Sequence, residues 1–232
     1  MENAIWTIIY DFPKDGLDDY LSWFHEVYIP EALSRKGYLW AAHYQILPNE
    51  GRMALRRSDG PALPVDTGYA ILYGGESTRT FFDPSPTQIK ERYSTKTREM
   101  IARRVRPVTY IHAVEWRIEG LESDRRDPKG MPAPFIQMGC FDASGQDEEL
   151  GTWYVQERMV LWSRLPGSVG GRKLVASVGP QRHGVLYDFT SLELHKKNFP
   201  PINRTEWSSR VHSHLLHPQG SSFWGRRIWP SP

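Results

Sequence analysis

The 232 residues are 39% hydrophobic and 24% charged, the balance of a globular chain long enough for one large domain or two small ones. Lys and Arg number 29 against 27 acids, a formal charge of +2, too small a basic excess for a dedicated nucleic-acid binder. No run of about 18 apolar residues offers a membrane span, the start at Met1-Glu2-Asn3 has no signal-like apolar core, and the lone Cys140 permits no intrachain disulfide, so a reducing, cytoplasmic setting is expected.

Ala4–Tyr10 is a continuous run of apolar, β-branched and aromatic residues and reads as a strand. Asp18 or Asp19 can cap a helix running to about Leu33. Its apolar positions Leu17, Tyr20, Leu21, Phe24 and Tyr28 keep the spacing of one buried face. Gly37 ends that segment. Tyr38–Leu47 and Tyr69–Gly75 read as strands, Thr87–Arg104 as a helix and Val108–Ile118 as a fourth strand. Gly120–Pro134 has a polar, Pro- and Gly-bearing linker composition. Beyond it the order recurs: strand Phe135–Cys140, helix Glu148–Leu165, strands Arg172–Val178 and Gly184–Phe189, a helix near Asn203–Leu215, and a last strand Phe223–Trp229. The long segment Pro48–Gly68, whose counterpart Gly179–His183 is short, is expected to cover a pocket of the first half.

A shift of 130 lays Ile5–Gln45 over Phe135–Val175 without a gap. Identities are few, but Trp23 meets Trp153 and Gly37 meets Gly167, Asp18-Asp19 meets Glu148-Glu149, and the apolar pattern matches. Each half has the β-α-β-β-α-β order of the ferredoxin-like motif, whose sheet carries helices on one face and must bury the other. The expected fold is therefore α+β: two ferredoxin-like repeats, 1–119 and 134–232, joined by a linker at 120–133 and forming a pseudo-dimeric α+β barrel.

The first helix, Tyr20 to Ala32, carries a further pattern. It resembles the first helix of EthD-like members of the dimeric α+β barrel superfamily, which run aromatic-x-Glu-Val-His-x-Pro-x-Ala; Phe24, Glu26, Val27, Pro30 and Ala32 match in register. The resemblance implies a cofactor-free isomerase, lyase or monooxygenase acting on a small apolar aromatic or lactone-type compound. Haem-dependent chlorite-dismutase-like relatives also join two such halves in one chain, which makes haem the alternative cofactor. A non-catalytic ligand-binding protein is a third reading. The characteristic His of the pattern falls on Tyr28 here and on Arg158 in the second half. The usual acid/base residue is thus not carried over, and a phenol is a poor base near neutral pH.

Alternation along the first-half strands puts Trp6 with Tyr10, Trp40 with Tyr44, Tyr69 with Tyr73, and Tyr110 with His112 and Trp116. If these faces coincide, rings line the barrel interior as walls for a flat ligand. His112 is the titratable residue expected there, with Tyr28 as a donor. Glu157 and Arg158 interrupt the apolar stripe Leu150, Trp153, Tyr154, Leu161, Trp162, where an Arg could orient a carboxylate or enolate. The candidate catalytic residues are accordingly Tyr28, His112 and Arg158, and the candidate ligand contacts Trp6, Tyr10, Trp40, Tyr44, Tyr73, Tyr110 and Glu157. His212-x-His214-x-x-His217 reads as a polar helix end rather than a metal site. The expected partner is a small-molecule ligand, with no nucleic acid and no membrane; a homodimer is left open.

Overall fold

In the computed structural model, which describes residues 1–48, 56–65 and 67–231, eight antiparallel strands close into one barrel with helices outside it. The first half runs β1 (Ala4–Asp11), α1 (Leu17–Trp23), a π-helical turn at Phe24–Tyr28, α2 (Ile29–Leu33), β2 (Tyr38–Leu47) and a short β3 (Arg56–Arg57). It continues with β4 (Tyr69–Gly75), α3 (Pro86–Glu91), α4 (Thr95–Ala102) and β5 (Val105–Glu119). The second half runs β6 (Phe135–Phe141), α5 (Asp147–Trp153), a π-helical turn at Tyr154–Arg158, α6 (Met159–Ser163), β7 (Ser168–Val178) and β8 (His183–Phe189). It ends with α7 (Leu192–Ile202), α8 (Glu206–His212), β9 (Leu216–His217) and β10 (Phe223–Trp229).

Adding 130 to the bounds of α1, its π turn and α2 gives those of α5, the second π turn and α6. Gly37 and Gly167 follow these helices with φ of 84° and 88°, a left-handed conformation that favours glycine. The strand order β5-β1-β4-β2 of one half continues into β10-β6-β8-β7 of the other. Closure depends on two joints between halves, β2 with β10 and β7 with β5. Each half thereby covers the sheet face that the other would leave bare.

Cross-strand register decides which rings face inward, because residues directly opposite share a face. Trp6 lies opposite Tyr73, and Tyr10 opposite Tyr69. Tyr73 in turn lies opposite Ala41, and Trp6 opposite Ile111. Trp40, Tyr44, Tyr110 and His112 therefore point the other way. They fill the barrel interior with Ile5, Leu72, Met138 and Leu174. Trp6, Tyr10, Tyr69 and Tyr73 point outward, under the first-half helices, beside Tyr20, Phe24 and Tyr28. The expectation that these faces coincide is thus corrected. Alternation orders residues within a strand, but a one-residue difference of register between strands splits them into two layers. Trp116 moves to the outer layer of the second half because the strand bulges between Val114 and Trp116.

Several boundaries also differ. The expected helix Thr87–Arg104 is two helices, since Ser94 accepts the Thr97 N–H and caps a new start. Gly16 occupies the cap of α1, and Asp18 and Asp19 lie in its first turn, where they favour the helix dipole. α7 has no counterpart among the expected elements, and α8 is shorter than the helix expected near Asn203–Leu215. Part of Pro48–Gly68 lies outside the described residues. Its described portion turns toward the second half: β3 pairs with β9, the Leu63 N–H donates to the Gln219 carbonyl, and Leu63 plugs the barrel end.

Candidate functional site

A cavity of about 470 Å³ lies outside the barrel wall in the second half, between β6 and β8 on one side and the helices on the other. Tyr187 and Val185 of β8 and Phe141 of β6 form its floor; Trp153, Tyr154 and Phe199 close it from the helical layer. This volume and mostly apolar lining suit a small ring compound. The equivalent layer of the first half is filled by aromatic side chains. Tyr10, Tyr20, Phe24 and Tyr28 stack there around the Arg104 guanidinium, which sits 4.3 Å from the Tyr10 ring and 4.8 Å from that of Phe24.

Arg158 is the cation at the heart of the cavity. The apolar stripe of α5 and α6 carries it inward, and the side chain is only 5% exposed. Nε donates to the Tyr187 hydroxyl at 3.1 Å, and Nη1 to Asn203 Oδ1 at 2.6 Å and the Ile202 carbonyl at 3.4 Å. The guanidinium also lies 4.6 Å from the Phe199 ring. Among the described residues no carboxylate pairs with it, and no hydrogen bond engages Nη2. Lys196 and Arg204 bring two more cations to the exposed rim, and no Asp or Glu among the described residues lines the cavity.

Glu157 does not pair with its neighbour. It accepts from Thr205 Oγ1 at 2.6 Å and Trp153 Nε1 at 3.1 Å, bracing the start of α8. It lies behind the wall rather than on it. Among the other sequence candidates, Tyr28 bonds the Tyr93 hydroxyl in the first-half layer. His112 is fully buried inside the barrel, stacked on Tyr110 at 5.2 Å, with no partner among the described residues on either ring nitrogen. Burial, with Lys173 nearby, pushes its pKa down to about 3. Trp6, Tyr10 and Tyr73 belong to the first-half outer layer and Trp40, Tyr44 and Tyr110 to the barrel core. Of the candidates, only Arg158 lines the cavity.

Three histidines line it too: His195 on α7, which the sequence reading does not single out, and His212 at the end of α8 and His217 on β9, which correct the expectation of a polar helix end because His217 leaves the helix and is buried in the wall. Burial, with Arg158 nearby, holds His195 and His212 down at about 3; burial, with Arg57 nearby, holds His217 at about 4. All three rings are neutral at pH 7. His195 is legible in principle, since His195, Phe199 and Ile202 repeat at helical spacing and are all buried in α7. His217 is not, because its wall position depends on β9 leaving the helix.

No family model matches the chain, and no curated protein does. Solved structures do. A chlorite dismutase from Candidatus Nitrospira defluvii, solved as a variant with cyanide, is 11% identical over 100% of this chain and 92% of its own, with a TM-score of 0.55. An anthrone oxidase-like protein is 11% identical over 97% of this chain and 90% of its own, with a TM-score of 0.56. A haem-binding protein from Thermus thermophilus is 10% identical over 98% and 92%, with a TM-score of 0.50. The chain thus has a dimeric α+β barrel fold.

Proposed function

We propose that this chain is a small-molecule enzyme of the EthD-like, cofactor-independent kind, an isomerase, lyase or monooxygenase. Its substrate is an apolar aromatic or lactone-type compound bearing an acidic or enolisable oxygen, held in the second-half cavity. The observation that carries this reading is Arg158, a buried guanidinium with a free edge, no paired carboxylate among the described residues, and apolar walls around it. Such a cation in a low-dielectric site stabilises negative charge developing on a bound oxygen. Lys196 and Arg204 draw an anion toward the mouth. Tyr28 and His112 lose their expected roles here, since neither lines the cavity.

Calorimetric titration with 2-naphthoate, a flat aromatic anion, tests this reading. Arg158→Gln should weaken binding about 10- to 100-fold, the worth of a charge-assisted hydrogen bond, while Tyr28→Phe should leave it unchanged. Equal affinity in wild type and Arg158→Gln would remove Arg158 from the site.

One observation sustains haem as a second reading. Among the described residues His195 Nδ1, His212 Nδ1 and His217 Nε2 are buried at the cavity without partners, so one of these imidazoles would hold the haem iron, and Arg158, Lys196 and Arg204 would hold the propionates. Bound haem would supply redox and oxygen chemistry. A Soret band that needs one of these histidines would select it.

A further inference from the structure

Two of these three unpartnered nitrogens, those of His195 and His217, also say which groups a ligand must carry, on the reading that this cavity is the substrate site. His195 is 3% exposed, and its Nε2 lies 2.7 Å from Gln137 Oε1. The Trp224 indole, which can only donate, points at the same atom at 3.2 Å, while Gln137 Nε2 faces Ser222 Oγ at 3.3 Å. The atom facing His195 is therefore the amide oxygen, and His195 Nε2 carries the hydrogen. In a neutral ring that leaves Nδ1 bare.

His217, 6% exposed, is set the opposite way. Its Nδ1 lies 3.4 Å from Ser221 Oγ. That hydroxyl gives its hydrogen to the Cys140 carbonyl at 2.9 Å and accepts from the Cys140 N–H at 2.9 Å. Only a lone pair remains for His217, so Nδ1 carries the hydrogen and Nε2 is bare. Neither bare nitrogen has a donor among the described residues. A buried acceptor left unmatched carries its full desolvation cost until something donates to it.

We propose that the cavity selects a hydroxylated ring compound, a phenol or enol, whose O–H groups donate to His195 Nδ1 and His217 Nε2 while an anionic or carbonyl oxygen faces Arg158. Sites built to hydrogen-bond a hydroxyl discriminate strongly against analogues that cannot supply it.

The probes are 6-hydroxy-2-naphthoate, its methyl ether 6-methoxy-2-naphthoate, and 2-naphthoate, with imidazole tautomers read by ¹⁵N NMR in the wild-type protein. The expected result is a His195 ring protonated at Nε2, a His217 ring protonated at Nδ1, and at least about tenfold tighter binding of the hydroxyl compound than of the ether. That preference should vanish in the double variant His195→Phe, His217→Phe. Either ring in the other tautomer, or equal affinity for hydroxyl and ether, overturns the inference and leaves the site itself standing. Failure of all three naphthoates to bind would instead remove the substrate site, and the inference with it.

Discussion

Acidification from pH 7 to about 4.5 is expected to unfold this protein, with a midpoint set by buried neutral histidines rather than by carboxylates. His112, His195 and His217 are each less than 10% exposed, with pKa values held at about 3, 3 and 4. The first cause in each case is burial, which disfavours the charged ring, and nearby cations add to it. The sign follows from linkage. The unfolded chain takes up protons near the ordinary imidazole value of about 6.5, whereas the folded chain refuses them until pH 3 to 4. Stability is therefore full above about pH 6.5 and drains as the pH falls below it. Two pH units below that point, each ring costs about 2.7 kcal/mol and the three together about 8 kcal/mol as an upper figure. That is of the order of a whole domain's stability. Tryptophan fluorescence against pH would show the transition. His112→Leu, which removes two buried unsatisfied nitrogens from the barrel, should move the midpoint to lower pH. A midpoint below pH 3 would contradict this account.

Arg172→Met should destabilise the fold by about 3–5 kcal/mol, the cost of stranding buried charge. Arg172 lies inside the barrel, with Nε donating to Glu2 Oε1 at 2.7 Å, Nη1 to Asp188 Oδ1 at 2.9 Å and Nη2 to the Gly130 carbonyl at 3.0 Å. Both carboxylates are wholly buried. Glu2 also accepts from Trp40 Nε1 at 3.3 Å, and Asp188 Oδ2 from the Ala133 N–H at 3.0 Å. The network thus ties the chain start, the connecting segment and strands of both halves into one core. Removing the cation leaves two carboxylates without a counter-charge in an apolar interior. Glu2→Gln and Asp188→Asn added to Arg172→Met should recover much of the loss, because neutral amides need no such partner. Urea unfolding of the single and triple variants would measure both effects. A single variant within about 1 kcal/mol of wild type would mean that water reaches the network.

The architecture is legible in the chain because helix stripes and glycine stops recur at a fixed spacing. Gly37 and Gly167 mark the ends of equivalent helices, and the 130-residue register holds through the π turns. Arg158 is legible for a related reason: a charge in the middle of an apolar stripe cannot be explained by packing alone. The location of the site is not. Trp40 and Trp6 have the same parity argument behind them, yet pairing sends one inside the barrel and the other under the helices. α7 is hidden by Pro200 and Pro201 in its last turn, and with it goes His195. His217 joins the wall only because β9 follows α8 directly and pairs with β3. Such long-range pairings leave no trace in local periodicity.

A crystal structure of the complex with 2-naphthoate tests the central claim most directly. The account predicts the ring between β8 and α7, over Tyr187 and Phe199, with its carboxylate on Arg158 Nη2. A naphthoate found inside the barrel among Trp40, Tyr44, Tyr110 and His112, or in the first-half layer beside Tyr28, would contradict it.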